Sequence, residues 1–67
     1  MRKRSIKIAG HATSISLEDE FWDALNDIAE SKSLGITALI ELIDKQRKTD
    51  NLSSAIRLYV LDYFRKK

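Results

Sequence analysis

The hydrophobic pattern changes period once near the start of the chain, and no turn residue separates the two periods. Thr13, Ile15 and Leu17 alternate with small residues, and this period of two predicts a short strand over residues 11 to 17. From residue 18 the apolar positions follow steps of three and four residues, which predicts an amphipathic helix. One strand cannot form a sheet alone, and its simplest partner is the same strand of a second copy across a two-fold axis. The pattern therefore predicts a homodimer.

Three helices are expected after the strand, and the first two follow it directly. The first should run from about Glu18 to Ser33, and Gly35 suits the left-handed cap that commonly ends a helix. The second should start near Thr37, whose hydroxyl can cap it, and end on basic residues at Lys48. The residues expected to be buried by this second helix are Leu39, Leu42 and Ile43.

A third helix is expected to follow a break at residues 49 to 51, with Asp50 or Asn51 as its cap. Leu58, Leu61 and Phe64 widen its apolar face well beyond one stripe. A helix apolar on so many sides is usually buried from more than one direction, so we expect it to contact both its own chain and a partner chain. The predicted dimer core consists of Ile15, Leu17, Phe21, Trp22, Leu25, Ile56, Tyr59, Val60 and Tyr63.

Residues 1 to 10 alternate only weakly, with Ile6 and Ile8 as the apolar members, and Gly10 could end this stretch. A basic N-terminal arm is favoured here over a continuation of the ribbon or a separate short strand. Residues 11 to 67 then form the domain, with the third helix as an addition. The predicted fold class is α+β and mostly α, with one N-terminal strand pairing across a homodimer and three helices after it.

Length and composition support a small oligomer. A chain of 67 residues makes one domain and buries too little surface to be comfortably stable alone. It has no cysteine and a single histidine, so neither a disulfide nor a zinc site of Cys and His ligands can supply the missing stability. Because no apolar run is long enough to cross a bilayer and the basic start lacks the pattern of a signal peptide, we expect a cytoplasmic protein.

Charge is distributed in blocks along the chain. Residues 1 to 16 carry a net charge of +4, residues 17 to 44 carry −7, and residues 45 to 67 carry +5. Solvated side chains explain the acidic block. The basic start places Arg2, Lys3, Arg4 and Lys7 beside an exposed strand with no acid among them, which suits a surface that meets phosphates.

Catalytic chemistry has little support in the sequence. His11 is the only side chain that titrates near neutral pH, and its neighbours Thr13 and Ser14 form no triad with it in a defined order. The acidic residues at the start of the first helix are explained by the helix dipole. We therefore expect a binding protein and not an enzyme.

Strand alternation places Ala12, Ser14 and Ser16 on the face away from the helices. A two-stranded antiparallel ribbon fits the major groove of B-form DNA, where serine hydroxyls can donate to or accept from base edges. The alternative is that small polar residues simply occupy the solvent face of a strand.

The sequence resembles the ribbon-helix-helix DNA-binding proteins, in particular short bacterial proteins of this layout. The resemblance spans nearly the whole chain and rests on the strand, its junction with the first helix, Gly35 and a later Asn-Leu-Ser-Ser-Ala block, which are residues 13–18, 21–25, 28–29, 35 and 51–57. It implies a homodimeric transcriptional regulator, most simply a repressor, whose paired strands read duplex DNA in the major groove. It implies no cofactor and no metal.

The resemblance also implies positions for DNA contacts. The base-reading positions of the ribbon would be Ala12, Ser14 and Ser16, whose short side chains have limited reach. The helix N-terminus that holds a phosphate would be Gly35, Ile36, Thr37 and Ala38, with Ser53, Ser54 and Arg57 as second candidates. Longer reach would come from Arg2, Lys3, Arg4, Lys7 and His11. The competing interpretation is a protein-interaction module, an antitoxin-like or adaptor dimer that binds a second protein through its C-terminal helix.

Overall fold

The computed structural model describes residues 2–8 and 10–66. Its elements in chain order are β1 (Arg2–Ile8), β2 (His11–Leu17), α1 (Asp19–Ser31), α2 (Ile36–Gln46) and α3 (Leu52–Arg65). The predicted fold class, a short β segment followed by three helices in a mostly helical chain, is confirmed. The structure has two strands where the sequence analysis expected one.

β2 has a strand of its own chain, β1, along one edge, whereas one strand was expected; the pairing of β2 with a second copy along its other edge stays a prediction. β1 runs antiparallel to β2 in a register from Arg2 opposite Leu17 to Ile8 opposite His11. The connection contains Gly10 with φ +86°, a conformation that L residues rarely adopt and that a tight hairpin needs. Ile8 is buried, so β1 contributes to the core and is not a separate arm.

Trp22 on α1 contacts the start of β1, at the end of the hairpin away from its turn. Its indole N–H donates a hydrogen bond to the backbone oxygen of Arg2 at 3.0 Å, and the guanidinium of Arg4 lies 5.3 Å from the centroid of its ring. The side chain is almost fully buried. A large aromatic ring with a satisfied polar edge therefore joins the hairpin to the first helix.

The core is formed within one chain. α2 packs on β1, α3 packs on β2, and the three helices contact one another beneath the hairpin. Of the residues predicted as dimer core, the structure buries six inside the single chain and leaves three half-buried: Ile15, Leu17, Trp22, Leu25, Ile56 and Val60 are buried, while Phe21, Tyr59 and Tyr63 are half-buried. Whether these residues also contact a partner chain stays a prediction.

The turn between α1 and α2 corrects two predicted caps. Ser33 takes the left-handed conformation with φ 57°, and the Leu34 N–H donates to the oxygen of Ala29 at 2.9 Å. This pattern is a Schellman motif with serine in the place where glycine is usual. Gly35 instead has φ −71° and is the N-cap of α2, so Thr37 lies inside the helix and does not cap it.

The start of α3 matches the prediction, but several large apolar side chains of α3 and one of α2 are exposed to solvent. The side-chain oxygen of Asn51 accepts a hydrogen bond from the Ser54 N–H at 3.2 Å, as expected of the cap. Leu42, which was expected to be buried, is 43% exposed, because it points away from the side of α2 that carries Leu39 and Ile43. Large apolar side chains also stay exposed on α3, at Leu58, Leu61 and Phe64. None of the helices in the described part of the chain is long and apolar enough to cross a membrane.

Candidate nucleic-acid interface

The outward face of the β1–β2 ribbon carries six side chains and no acid. Residues directly opposite each other in an antiparallel pair point to the same side of the sheet. The register pairs Lys3 with Ser16, Ser5 with Ser14 and Lys7 with Ala12, and all of these alternate with the residues that face the helices. We call this set the ribbon outer face: Lys3, Ser5, Lys7, Ala12, Ser14 and Ser16. Five of the six are exposed and Ser16 is half-buried.

The predicted base-reading positions Ala12, Ser14 and Ser16 thus lie side by side on one surface. Ser5 joins them directly opposite Ser14, and the sequence analysis missed it because β1 was taken for an arm. The alternation of Ile6 and Ile8 was the signal that could have found it. An extended segment with those two residues facing inward necessarily turns Ser5 outward.

The basic residues of β1 are divided between the two sides of the ribbon. Lys3 and Lys7 belong to the ribbon outer face, whereas Arg2 and Arg4 lie on the side of the helices. There the Arg2 Nε lies 3.5 Å from a carboxylate oxygen of Asp19, and Arg4 lies over the Trp22 ring. Two of the four predicted arm cations therefore have structural contacts already.

His11 is opposite Ile8 at the hairpin turn, and alternation assigns it to the side of the helices. Its side chain is nevertheless exposed, because the ribbon ends there and no helix covers it. The structure therefore separates His11 from the six residues of the ribbon outer face.

The N-terminus of α2 is a second feature with affinity for anions. Its N-cap is Gly35, which has no side chain to accept a hydrogen bond from the first turn. The first N–H groups of a helix have no partner within the helix, and the helix dipole favours negative charge beside them. The predicted phosphate position at Gly35, Ile36, Thr37 and Ala38 is therefore available to an anion.

The N-terminus of α3 is different, because a side chain caps it and Arg57 in its second turn is paired. Asn51 caps the Ser54 N–H, and the Arg57 Nε donates to the Glu18 Oε1 at 2.9 Å. The second candidates for the phosphate contact were Ser53, Ser54 and Arg57. Of these, Ser54 has its backbone N–H bonded and Arg57 has its charge paired within the chain.

Glu18 connects the end of the ribbon to α3. A hydrogen bond from its own backbone, followed by the hydrogen bond from Arg57, holds the pKa of the Glu18 carboxyl below its ordinary value, with burial opposing them weakly. The residue is also the N-cap of α1, directly after β2. This ion pair joins the end of the ribbon to the third helix.

Comparison with known proteins agrees with this architecture. A family model described as "Ribbon-helix-helix domain" matches residues 1–64. No curated protein and no solved structure matches the chain.

Proposed function

This chain belongs to the ribbon-helix-helix domain family, in general a family of DNA-binding transcription regulators, and on that premise we propose that it binds duplex DNA through the ribbon outer face. We propose that it acts as a cytoplasmic, sequence-specific homodimer that represses transcription by occupying an operator. The observation that carries the proposal is a ribbon surface with two lysines, three serines and no acid.

The dimensions of the ribbon suit the major groove. That groove is about 12 Å wide and admits a two-stranded β-ribbon, which here is supplied by one chain. Lys3 and Lys7 lie near opposite ends of β1 and would meet phosphates along the groove. The hydroxyls of Ser5, Ser14 and Ser16 would donate to or accept from base edges, and the Ala12 methyl would contact a thymine methyl.

The phosphate-holding helix end is proposed to be that of α2. Its N–H groups are uncapped by any side chain, whereas Asn51 and the Glu18–Arg57 pair engage the start of α3. A phosphate there would fix the register of the ribbon on the duplex without reading sequence.

Members of the family generally bind DNA as dimers and are typically non-enzymatic. We accordingly propose two copies on each site and no catalytic role. No cofactor is needed for recognition by hydroxyls, cations and backbone N–H groups.

The proposal is tested by incubating the protein with sheared genomic duplex fragments and sequencing those that it retains. We expect enrichment of a short site with two-fold symmetry. The variant Lys3→Ala with Lys7→Ala should bind at least about tenfold more weakly and lower the slope of log affinity against log salt by about 2 per chain.

The matched control removes the same charge elsewhere. Lys45 and Lys48 are exposed and lie outside the ribbon, so Lys45→Ala with Lys48→Ala should retain most of the affinity. Equal losses in the two double variants would show that net charge, and not the ribbon outer face, accounts for binding. Absence of any retained duplex would overturn the proposed function.

A further inference from the structure

We infer that a groove between α2 and α3 binds an acidic amphipathic helix of a different protein. The groove is open to solvent and has a volume of about 500 Å³, with Leu58 and Leu61 along one side and Ile43 and Ala55 at its base. We name it the α2–α3 groove. The inference goes beyond DNA binding and does not depend on it, because the residues that line the groove include none of the ribbon.

The apolar side of the groove is exposed to solvent in the single chain. The side chains of Leu58 and Leu61 are 59% and 51% exposed, whereas Ile43 and Ala55 beneath them are buried. Leu58, Leu61 and Arg65 are three and four residues apart, so they form one stripe along α3. Exposed leucines that continue into a buried apolar base are typical of a surface that contacts another protein.

Positive charge surrounds this apolar stripe. The described residues that line the groove include three cations and one acid, which are Arg47, Lys48, Arg65 and Asp62. The Arg47 Nε lies 2.9 Å from a carboxylate oxygen of Asp44. The Asp62 carboxylate lies 3.0 Å from the Lys66 Nζ. The charges that neighbours do not neutralise are therefore those of Lys48 and Arg65, which have no salt-bridge partner within the described residues.

The two remaining cations lie toward opposite ends of α3. Lys48 is in the connection that leads into this helix, and Arg65 is its last residue. Both side chains are exposed. A ligand that covers Leu58 and Leu61 would thus meet a positive charge near each of its ends, which favours a ligand with acidic side chains on both sides of its apolar residues.

The open shape of the groove favours a helix over a small molecule. Sites for small molecules enclose most of their ligand, whereas this groove is exposed along its length. A helix that docks in an apolar groove contributes side chains at steps of three, four and seven residues. Leu58, Leu61 and Arg65 have those same steps, so a helix lying along α3 can match them one by one.

A second copy of this chain does not offer the required combination of acids and apolar side chains. Its own α2–α3 groove is basic, so pairing of two grooves would bring like charges together. Its α1 is acidic on the exposed side, with Asp23, Asp27 and Glu30, but every exposed residue of α1 is polar. An acidic helix with exposed apolar residues must therefore come from a different protein.

Selection from a peptide library tests the inference with the full chain. The probe is a phage-displayed library of peptides with 14 random residues, the length of α3, selected on immobilised wild type. The enriched peptides should carry Asp or Glu together with apolar residues at steps of three and four. In fluorescence anisotropy, the most enriched peptide should bind at least about tenfold more tightly than a peptide of the same composition in scrambled order.

Charge reversal shows whether the selected peptide binds in the α2–α3 groove. Lys48→Glu with Arg65→Glu should weaken its binding at least about tenfold, and should strengthen the binding of a peptide whose acids are replaced by lysine. Leu61→Ser changes no charge and should weaken both peptides. The matched control is Lys3→Glu with Lys7→Glu, which makes the same change of charge on the ribbon and should leave the peptide affinity unchanged. Circular dichroism checks that each variant is folded.

Several results would overturn the inference. Enrichment of basic peptides, or of none, would do so, and equal losses in the two charge-reversal variants would attribute binding to net charge alone. Dissociation of a wild-type dimer by Leu61→Ser, measured by sedimentation velocity, would assign the groove to a second copy and overturn the inference as well. A protein that binds duplex DNA but enriches no acidic peptide would overturn this inference and leave the proposed function intact.

Discussion

The ribbon and α3 both turn a face to solvent, and the two faces have opposite chemistry. The ribbon outer face consists of lysine, serine and alanine side chains, while the outward face of α3 is built around Leu58, Leu61 and Phe64. Short hydroxyls and flexible cations suit a hydrated, negatively charged groove. Exposed leucine and phenylalanine at helical spacing suit contact with another apolar protein surface.

We therefore propose different partners for the two faces. Each can be changed without altering the buried core, because none of the outward-facing residues belongs to it. Their direct connection is the Glu18–Arg57 pair, which joins the end of β2 to α3. Changes at each feature therefore show which of them takes part in binding DNA.

The largest expected effect separates the two helix N-termini. Gly35→Asp adds a carboxylate where α2 is proposed to hold a phosphate, so it should lower duplex affinity by about tenfold while stabilising α2 through a new cap. Asn51→Asp adds the same charge at α3 and keeps its cap, so it should affect duplex binding much less. Fluorescence anisotropy with a labelled duplex, and urea unfolding, measure the two quantities. A larger loss with Asn51→Asp would move the phosphate to α3.

The next effect concerns the attachment of the ribbon. Trp22→Phe removes the N–H that binds the Arg2 oxygen, so the protein should lose about 1 to 2 kcal/mol of unfolding free energy. Amide hydrogen exchange should accelerate in β1 and not in α3. Tyr59→Phe on α3 is the matched control and should leave exchange in β1 unchanged. Equal acceleration throughout the chain would mean that Trp22 stabilises the whole fold and not the ribbon in particular.

A smaller effect is expected at the turn between α1 and α2, which belongs to neither outward face. Ser33 holds a left-handed conformation without being glycine. Ser33→Gly should therefore raise the free energy of unfolding by about 0.5 to 1 kcal/mol, as measured by urea denaturation. Duplex affinity and the dimer dissociation constant should not change. A loss of stability would show that the serine side chain contributes more than its backbone strain costs.

The smallest effect tests the connection between the two regions. Because hydrogen bonds lower the pKa of Glu18 in the folded state, its contribution to stability is present above the unfolded-state pKa and is lost as pH falls through the folded-state value. Wild type should thus be more stable than Glu18→Gln near neutral pH, and the difference should shrink below about pH 4. Urea unfolding at several pH values measures it. A difference that is independent of pH would exclude the Glu18–Arg57 pair as its cause.

The sequence predicted those elements whose signal is local. The alternation at Thr13, Ile15 and Leu17 correctly gave the inner and outer sides of β2, and Asn51 was correctly named as a cap. These succeed because side-chain direction in a strand and the first turn of a helix depend only on near neighbours.

What the sequence did not predict depends on contacts between distant residues. β1 pairs with β2 and also accepts a hydrogen bond at Arg2 from Trp22, twenty positions away, a contact that no local pattern reveals. Gly35 was taken for a left-handed cap, yet Ser33 adopts that conformation because α1 ends earlier, at Ser31. Hydrophobicity also identified the predicted dimer core, and whether those residues meet a partner chain stays a prediction.

The most direct test of the account is to titrate isotopically labelled protein with a duplex and map the amide shifts in heteronuclear NMR spectra. The amide shifts should concentrate at the start of α2 and along the ribbon outer face, at Lys3, Ser5, Lys7, Ala12, Ser14 and Ser16. The amide signals of Leu58, Leu61 and Phe64 should not shift. Shifts concentrated on α3, with the ribbon unaffected, would contradict the assignment of DNA binding to the ribbon outer face.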